Sequence, residues 1–89
     1  MPKSHSDLAI EAAILFLRDK FEMSAVEEVE LSDMVTYHRE SGVRAFWVDF
    51  VIHKAEGDNL ALKPYAAGAL FGWERADGSW NCSRFVMLP

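Results

Sequence analysis

Asp49 and His53 are the two side chains whose types best suit acid–base chemistry, because a carboxylate can orient an imidazole that exchanges protons near neutral pH. Their spacing argues against it. Four residues apart on a strand they share a face, yet their Cβ atoms stand ~13 Å apart at ~3.3 Å per residue. A working dyad needs contact at ~2.6–3.2 Å, directly or through one water, so both read as polar residues on a solvated face. His5, His38 and His53 form no i, i+4 helical pair and none adjoins a cysteine, so no metal site is expected. Cys82, the lone cysteine, would act as a nucleophile only beside a positioned base. Opposite Trp73 in a hairpin, it reads instead as a small apolar residue packed in a sheet. Gly68-x-x-x-Gly72 lies in a strand and lacks the Lys-Ser/Thr ending of a phosphate loop. No catalytic residue and no cofactor is expected. Glu27, Glu28, Glu30 and Asp33 could imitate a nucleic acid, but a solvated strand edge explains them with less assumption.

The elements that would position these residues follow from pattern. Ser4 to Glu22 reads as an amphipathic helix, with Ser4 and Asp7 as a capping box and Ser6 as the competing cap. Ile10, Ile14, Leu17 and Phe21 form its apolar stripe, widened by Leu8, Ala12 and Leu15. After Met23 the period changes to two: Val29, Leu31, Val35 and Tyr37 alternate with polar residues, Asp33 interrupting. Val43 to Lys54 is the clearest strand, with Phe46, Val48, Phe50 and Ile52 on one face. A two-residue Ser41-Gly42 turn would place Tyr37 opposite Phe46, Val35 opposite Val48 and Leu31 opposite Ile52, all on that face. Thr36 would then lie beside Trp47, Met34 beside Asp49 and Glu30 beside His53. Residues 55–64 read as a polar connection, with Glu56-Gly57-Asp58-Asn59 as its turn and Pro64 opening the next strand. Asp77-Gly78 is the dipeptide a type I′ hairpin turn asks for, and it would pair Trp73 with Cys82, Phe71 with Arg84 and Leu70 with Phe85. Gly68 and Gly72, with Ala66, would let the helix approach closely. The expected fold is α+β, a single domain over residues 1–89 in which one N-terminal helix packs on a four-stranded antiparallel sheet in two layers.

Composition narrows the function classes. The 89 residues include three Trp, six Phe and two Tyr, and 51% are apolar, enough for a core in one small domain. A net charge of −5 disfavours direct binding to nucleic acid or to anionic lipid. One cysteine permits no intrachain disulfide. Met1 to Ser6 has no apolar run typical of a signal peptide, and no stretch approaches the ~18 apolar residues of a membrane span. A soluble cytoplasmic protein is expected.

Trp73-x-x-x-Asp77-Gly78-x-Trp80 followed by Phe85 is similar to the closing hairpin of many nuclear-transport-factor-two-like proteins, and the helix-then-meander order resembles the cystatin-like architecture. That resemblance covers about the last twenty residues and carries over no catalytic residue. It implies a pocket between helix and sheet for a small molecule, with Asp33, Tyr37 and Tyr65 as its polar groups. The residues themselves point elsewhere. One helix covers one face, yet Trp47, Val51 and Met34 lie on the other, with Phe71 and Trp73 placed to join them. An exposed aromatic patch of this kind marks an interface. Trp47, Asp49 and Trp73 are therefore expected in a contact with another protein, either a second copy of the chain or a different partner.

Overall fold

The computed structural model describes residues 5–56 and 59–88. It is an α+β structure in which α1 (His5–Lys20) is followed by β1 (Glu28–Leu31), β2 (Val35–His38), β3 (Arg44–Glu56), β4 (Asn59–Glu74) and β5 (Trp80–Met87). The sheet is antiparallel in the order β1-β3-β4-β5, and β2 pairs with β3 alongside β1. The expected first strand is thus two strands, making five among the described residues. Ser32 causes the break: its backbone N–H donates to the Asp49 carbonyl at 3.0 Å, and its hydroxyl accepts the Asp49 N–H at 3.2 Å. A side chain thereby replaces a ladder group, and the chain slips one residue before β2 begins.

Both hairpin turns are three-residue loops rather than two-residue ones. Gly42 N–H donates to the Arg39 carbonyl and Arg39 N–H to the Val43 carbonyl, both at 2.8 Å. Gly78 and Arg75 repeat the arrangement at 3.0 Å to Arg75 and 2.7 Å to Ser79. A type I′ turn needs positive φ at both central residues, whereas here Gly42 (φ 85°) and Gly78 (φ 89°) alone in their loops adopt it. Asp77 Oδ1 accepts the Ser79 N–H at 2.9 Å and its hydroxyl at 2.6 Å, which holds this carboxyl below its ordinary pKa.

The longer loops move the register. Val35 faces Trp47 and Tyr37 faces Ala45, while Val29 faces Ile52 and Leu31 faces Phe50. In the second hairpin Trp73 pairs with Asn81 and Cys82 with Gly72, until a bulge restores Phe71–Arg84 and Leu70–Phe85 as expected. Residues 55–64 are no separate connection: β3 and β4 stay paired to Glu56 and Asn59, with register shifts after Ile52 and after Ala55. Pro64 sits inside β4 opposite His53, next to the bulge at Tyr65. Of the turn expected over Glu56-Gly57-Asp58-Asn59, Gly57 and Asp58 lie outside the described residues, as does the Ser4 cap, and Ser6 falls inside the helix.

The core lies between α1 and the face of β3 that carries Phe46, Val48, Phe50 and Ile52, all buried with Leu70, Ala9, Ala13 and Leu17. Large and small residues alternate across the strand pair, with Phe46 against Gly72 and Phe50 against Gly68. A Cβ at either glycine would meet the ring opposite, so these rings, not the helix, occupy the space the glycines leave. Phe85 joins Phe16, Phe21 and Phe50 at ring separations of 6.0–6.4 Å, and Trp80 stacks edge-on against Phe46 at 5.5 Å. The helix is rotated from the expected stripe. Small Ala9 and Ala13 are fully buried together with Leu17, Ile10 and Ile14 are half-buried flanks, and Leu15 is 69% exposed. Fit against the Phe rings, rather than side-chain bulk, sets which residues touch the sheet.

A polar clamp ties the helix end to the sheet. Glu22 takes a left-handed φ of 49°, with Met23 N–H donating to the Arg18 carbonyl at 3.0 Å and Glu22 N–H to Asp19 at 3.2 Å, a Schellman ending. Glu27, 8% exposed, accepts the Ser24 N–H at 2.8 Å and the Ala55 N–H at 2.9 Å. Arg18 donates to the Glu27 and Ser24 carbonyls, and Lys54 to the Phe21 carbonyl at 2.9 Å. The two backbone donors, aided by Lys54, hold the Glu27 carboxyl below its ordinary pKa. Glu27 is therefore no part of a solvated acidic edge.

Candidate docking face

The outer face of the sheet is assembled by the alternation of β3. Trp47, Asp49, Val51 and His53 point away from the helix because Phe46, Val48, Phe50 and Ile52 point toward it. Across β3–β4 the same face receives Trp73 opposite Ala45, Phe71 opposite Trp47, Ala69 opposite Asp49 and Ala67 opposite Val51. β5 adds Arg84 opposite Phe71 and Val86 opposite Ala69. The slip at Ser32 turns Val35 and Tyr37 outward too, each 41% exposed. Ala45 is buried even though it lies on this face, in the row between Tyr37 and Trp73.

Trp47, Asp49, Val51, Phe71 and Trp73 thus come together as the sequence suggested. Met34 does not: it packs against the helix-side core. The polar groups named for a pocket do not converge. Tyr37 is on the outer face, Asp33 is exposed in the β1–β2 link, and Tyr65 is 65% exposed on the helix side. There Tyr65 meets Phe21 edge-on at 6.4 Å, with Lys54 Nζ 5.1 Å from its ring. Phe46, Phe50, Leu17 and Leu70 fill the space between helix and sheet.

Sequence reasoning missed Val35, Tyr37 and Arg84 as members of this face. A glycine at the third loop position after Arg39 was the signal for the first two. Arg84 sets its guanidinium 5.3 Å from the centre of the Phe71 ring, a cation–π contact. Tyr37, Arg39, Ala45, Phe71, Trp73 and Arg84 outline a shallow groove of about 390 Å³. On the acidic side, Glu28 and Glu30 face outward from β1, and His53 Nε2 lies 3.2 Å from Glu30 Oε1. His53 is therefore engaged by Glu30, not by Asp49, whose carboxylate has no side-chain partner among the described residues.

The remaining candidates for chemistry stay separate. Burial pushes the Cys82 thiol up to about 11, so it is un-ionised and a poor nucleophile at neutral pH. Among the described residues no group of three or more His, Cys, Asp or Glu side chains could hold a metal ion. No described helix is long and apolar enough to cross a membrane. Fold and site together define a two-layer α+β protein with one helix-covered face and one open, aromatic face. Comparison with protein-family models, curated proteins and solved structures gives no match.

Proposed function

We propose that this chain is a small acidic, non-enzymatic binding module of the cytoplasm that acts by docking its open sheet face on a protein, either a second copy of itself or another partner. One observation carries the reading: Trp47, Phe71 and Trp73 form a contiguous half-buried patch, with Val35 and Tyr37 exposed beside them, on the face opposite the helix. Antiparallel sheets tolerate water on one face when that face is polar. An apolar, aromatic one gains from being covered, and large amphipathic rings are the usual energetic anchors of such contacts. The helix laid across an antiparallel sheet supports reading the architecture as cystatin-like. The test is Trp47→Ala, compared with the parent chain by light scattering across a dilution series and by pull-down. Weakened association with an unchanged thermal transition is expected; unchanged association in both assays refutes the reading.

A second reading draws on the groove bounded by Tyr37, Arg39, Phe71, Trp73 and Arg84, where two guanidinium groups and three aromatic rings would suit a small anionic aromatic ligand. A thermal-shift screen of such compounds that finds none would leave the docking reading alone.

A further inference from the structure

Resting on the docking reading, we propose that the occupant of the open face is a second copy of this chain, related by a two-fold axis parallel to the strands, with Arg84 of each copy paired to Asp49 of the other. The Asp49 carboxylate stands near the middle of an apolar patch, between Trp47 and Val51 on β3 and beside Ala69 on β4. Covering that patch strips water from the carboxylate, and a buried charge without a partner is costly. The occupant must bring a cation to it.

This chain carries such a cation on the same face. Arg84 lies on β5 at the opposite side of the patch from β1, already partly ordered over the Phe71 ring. Isologous contact uses one surface twice, so every group must find its complement on that surface. When two faces stack with the axis along the strands, the β5 edge of one copy covers the β1–β2 edge of the other and the cross-strand rows stay in step. Arg84 shares its row with Phe71, Trp47 and Val35, so it lands over Val35 of the second copy. Asp49 of that copy is one row and one strand away. Those offsets are ~6.6 Å along the strand and ~4.8 Å across it, with sheets ~10 Å apart, a span that a long Arg and a short Asp can close together. The other in-plane axis, perpendicular to the strands, keeps β5 over β5 and sets Asp49 against Trp47, which leaves Arg84 of the other copy two strands, ~9.6 Å, away across the sheet and puts Phe71 over Ala69 rather than over a ring. The parallel axis also stacks Trp47 against Phe71 of the other copy, since these two share a row on β3 and β4.

Charge reversal tests the pairing. Asp49→Arg and Arg84→Asp each create two like-charge contacts in the dimer, and each is expected to raise the dissociation constant at least ~10-fold. An equimolar mixture of the two variants, or the double variant Asp49→Arg/Arg84→Asp, restores opposite charges and returns the constant to near the parent value. Both residues are solvent-exposed, and thermal melts verify that every variant folds. A parent dimer that ignores the single reversals, or single losses that neither the mixture nor the double variant rescues, overturns the pairing while leaving the docking face standing. A parent chain that stays at 10.1 kDa throughout the dilution series overturns the second copy as occupant. The pull-down with Trp47→Ala then decides the docking reading separately.

Discussion

Phe46 and Trp47 are neighbours on β3, both large and aromatic, and the structure uses them in opposite ways. Phe46 is buried, lies over Gly72 and meets Trp80 edge-on. Trp47 is half-buried among Phe71, Val35 and Asp49, with no second layer of described elements over it. Glu27 and Glu28 repeat the contrast in charged form. Glu27 turns inward onto two backbone N–H groups, while Glu28 points outward opposite His53. Period-two alternation makes the separation, so that adjacent residues of one chemical type are sent to opposite environments, one into the core and the other onto the open face.

The largest effect should come from cutting the inward member. Phe46→Ala removes a ring that both fills the core and covers Gly72, and is expected to cost about 3–5 kcal/mol in denaturant unfolding. Adding volume on the same face is next. A methyl at Gly68 would run into the Val86 carbonyl and lie 3.0 Å from the Phe50 ring, so Gly68→Ala should lose about 1–3 kcal/mol. Trp47→Ala, by contrast, should move the unfolding free energy by no more than about 1 kcal/mol while weakening association. Equal destabilisation by Phe46→Ala and Trp47→Ala would erase the distinction between the faces.

The smallest effect is a matter of pH. Because the Glu27 carboxyl titrates below its ordinary value of 4.5, its ionised form binds the folded state better than the protonated one. Its contribution is fully present above that value and is lost as the pH falls through the folded pKa. Melting temperatures taken from about pH 6 downward should therefore fall less steeply for Glu27→Gln than for the parent. A Glu27→Gln profile parallel to the parent would remove the clamp from the account.

Some of this was readable in the chain. The thirteen residues of β3 alternate so regularly that Trp47, Asp49 and Val51 could be assigned to one face and Phe46, Val48, Phe50 and Ile52 to the other. The positions of both turns were legible from Gly42 and Gly78. Their lengths were not, because Asp-Gly and Ser-Gly suit a two-residue loop and a three-residue loop ending in a left-handed glycine equally well. That single residue moved Tyr37 and Val35 from the expected core face to the open one. Met34 went the other way, once the hydroxyl of Ser32 had taken a ladder hydrogen bond.

What the sequence determined by itself is therefore local: a helix, a long alternating strand, two glycine turns, and the presence of more aromatic residues than one helix can cover. These follow from periodicity and backbone sterics, which act over a few residues. The tertiary structure alone decided the register of β1 and β2, the inward turn of Glu27 toward a backbone N–H twenty-eight residues away, and the placing of Arg84 and Asp49 on one surface. Each depends on which groups meet across strands, and that choice is made by packing Phe46 and Phe50 over Gly72 and Gly68 beneath a helix that buries Ala9, Ala13 and Leu17.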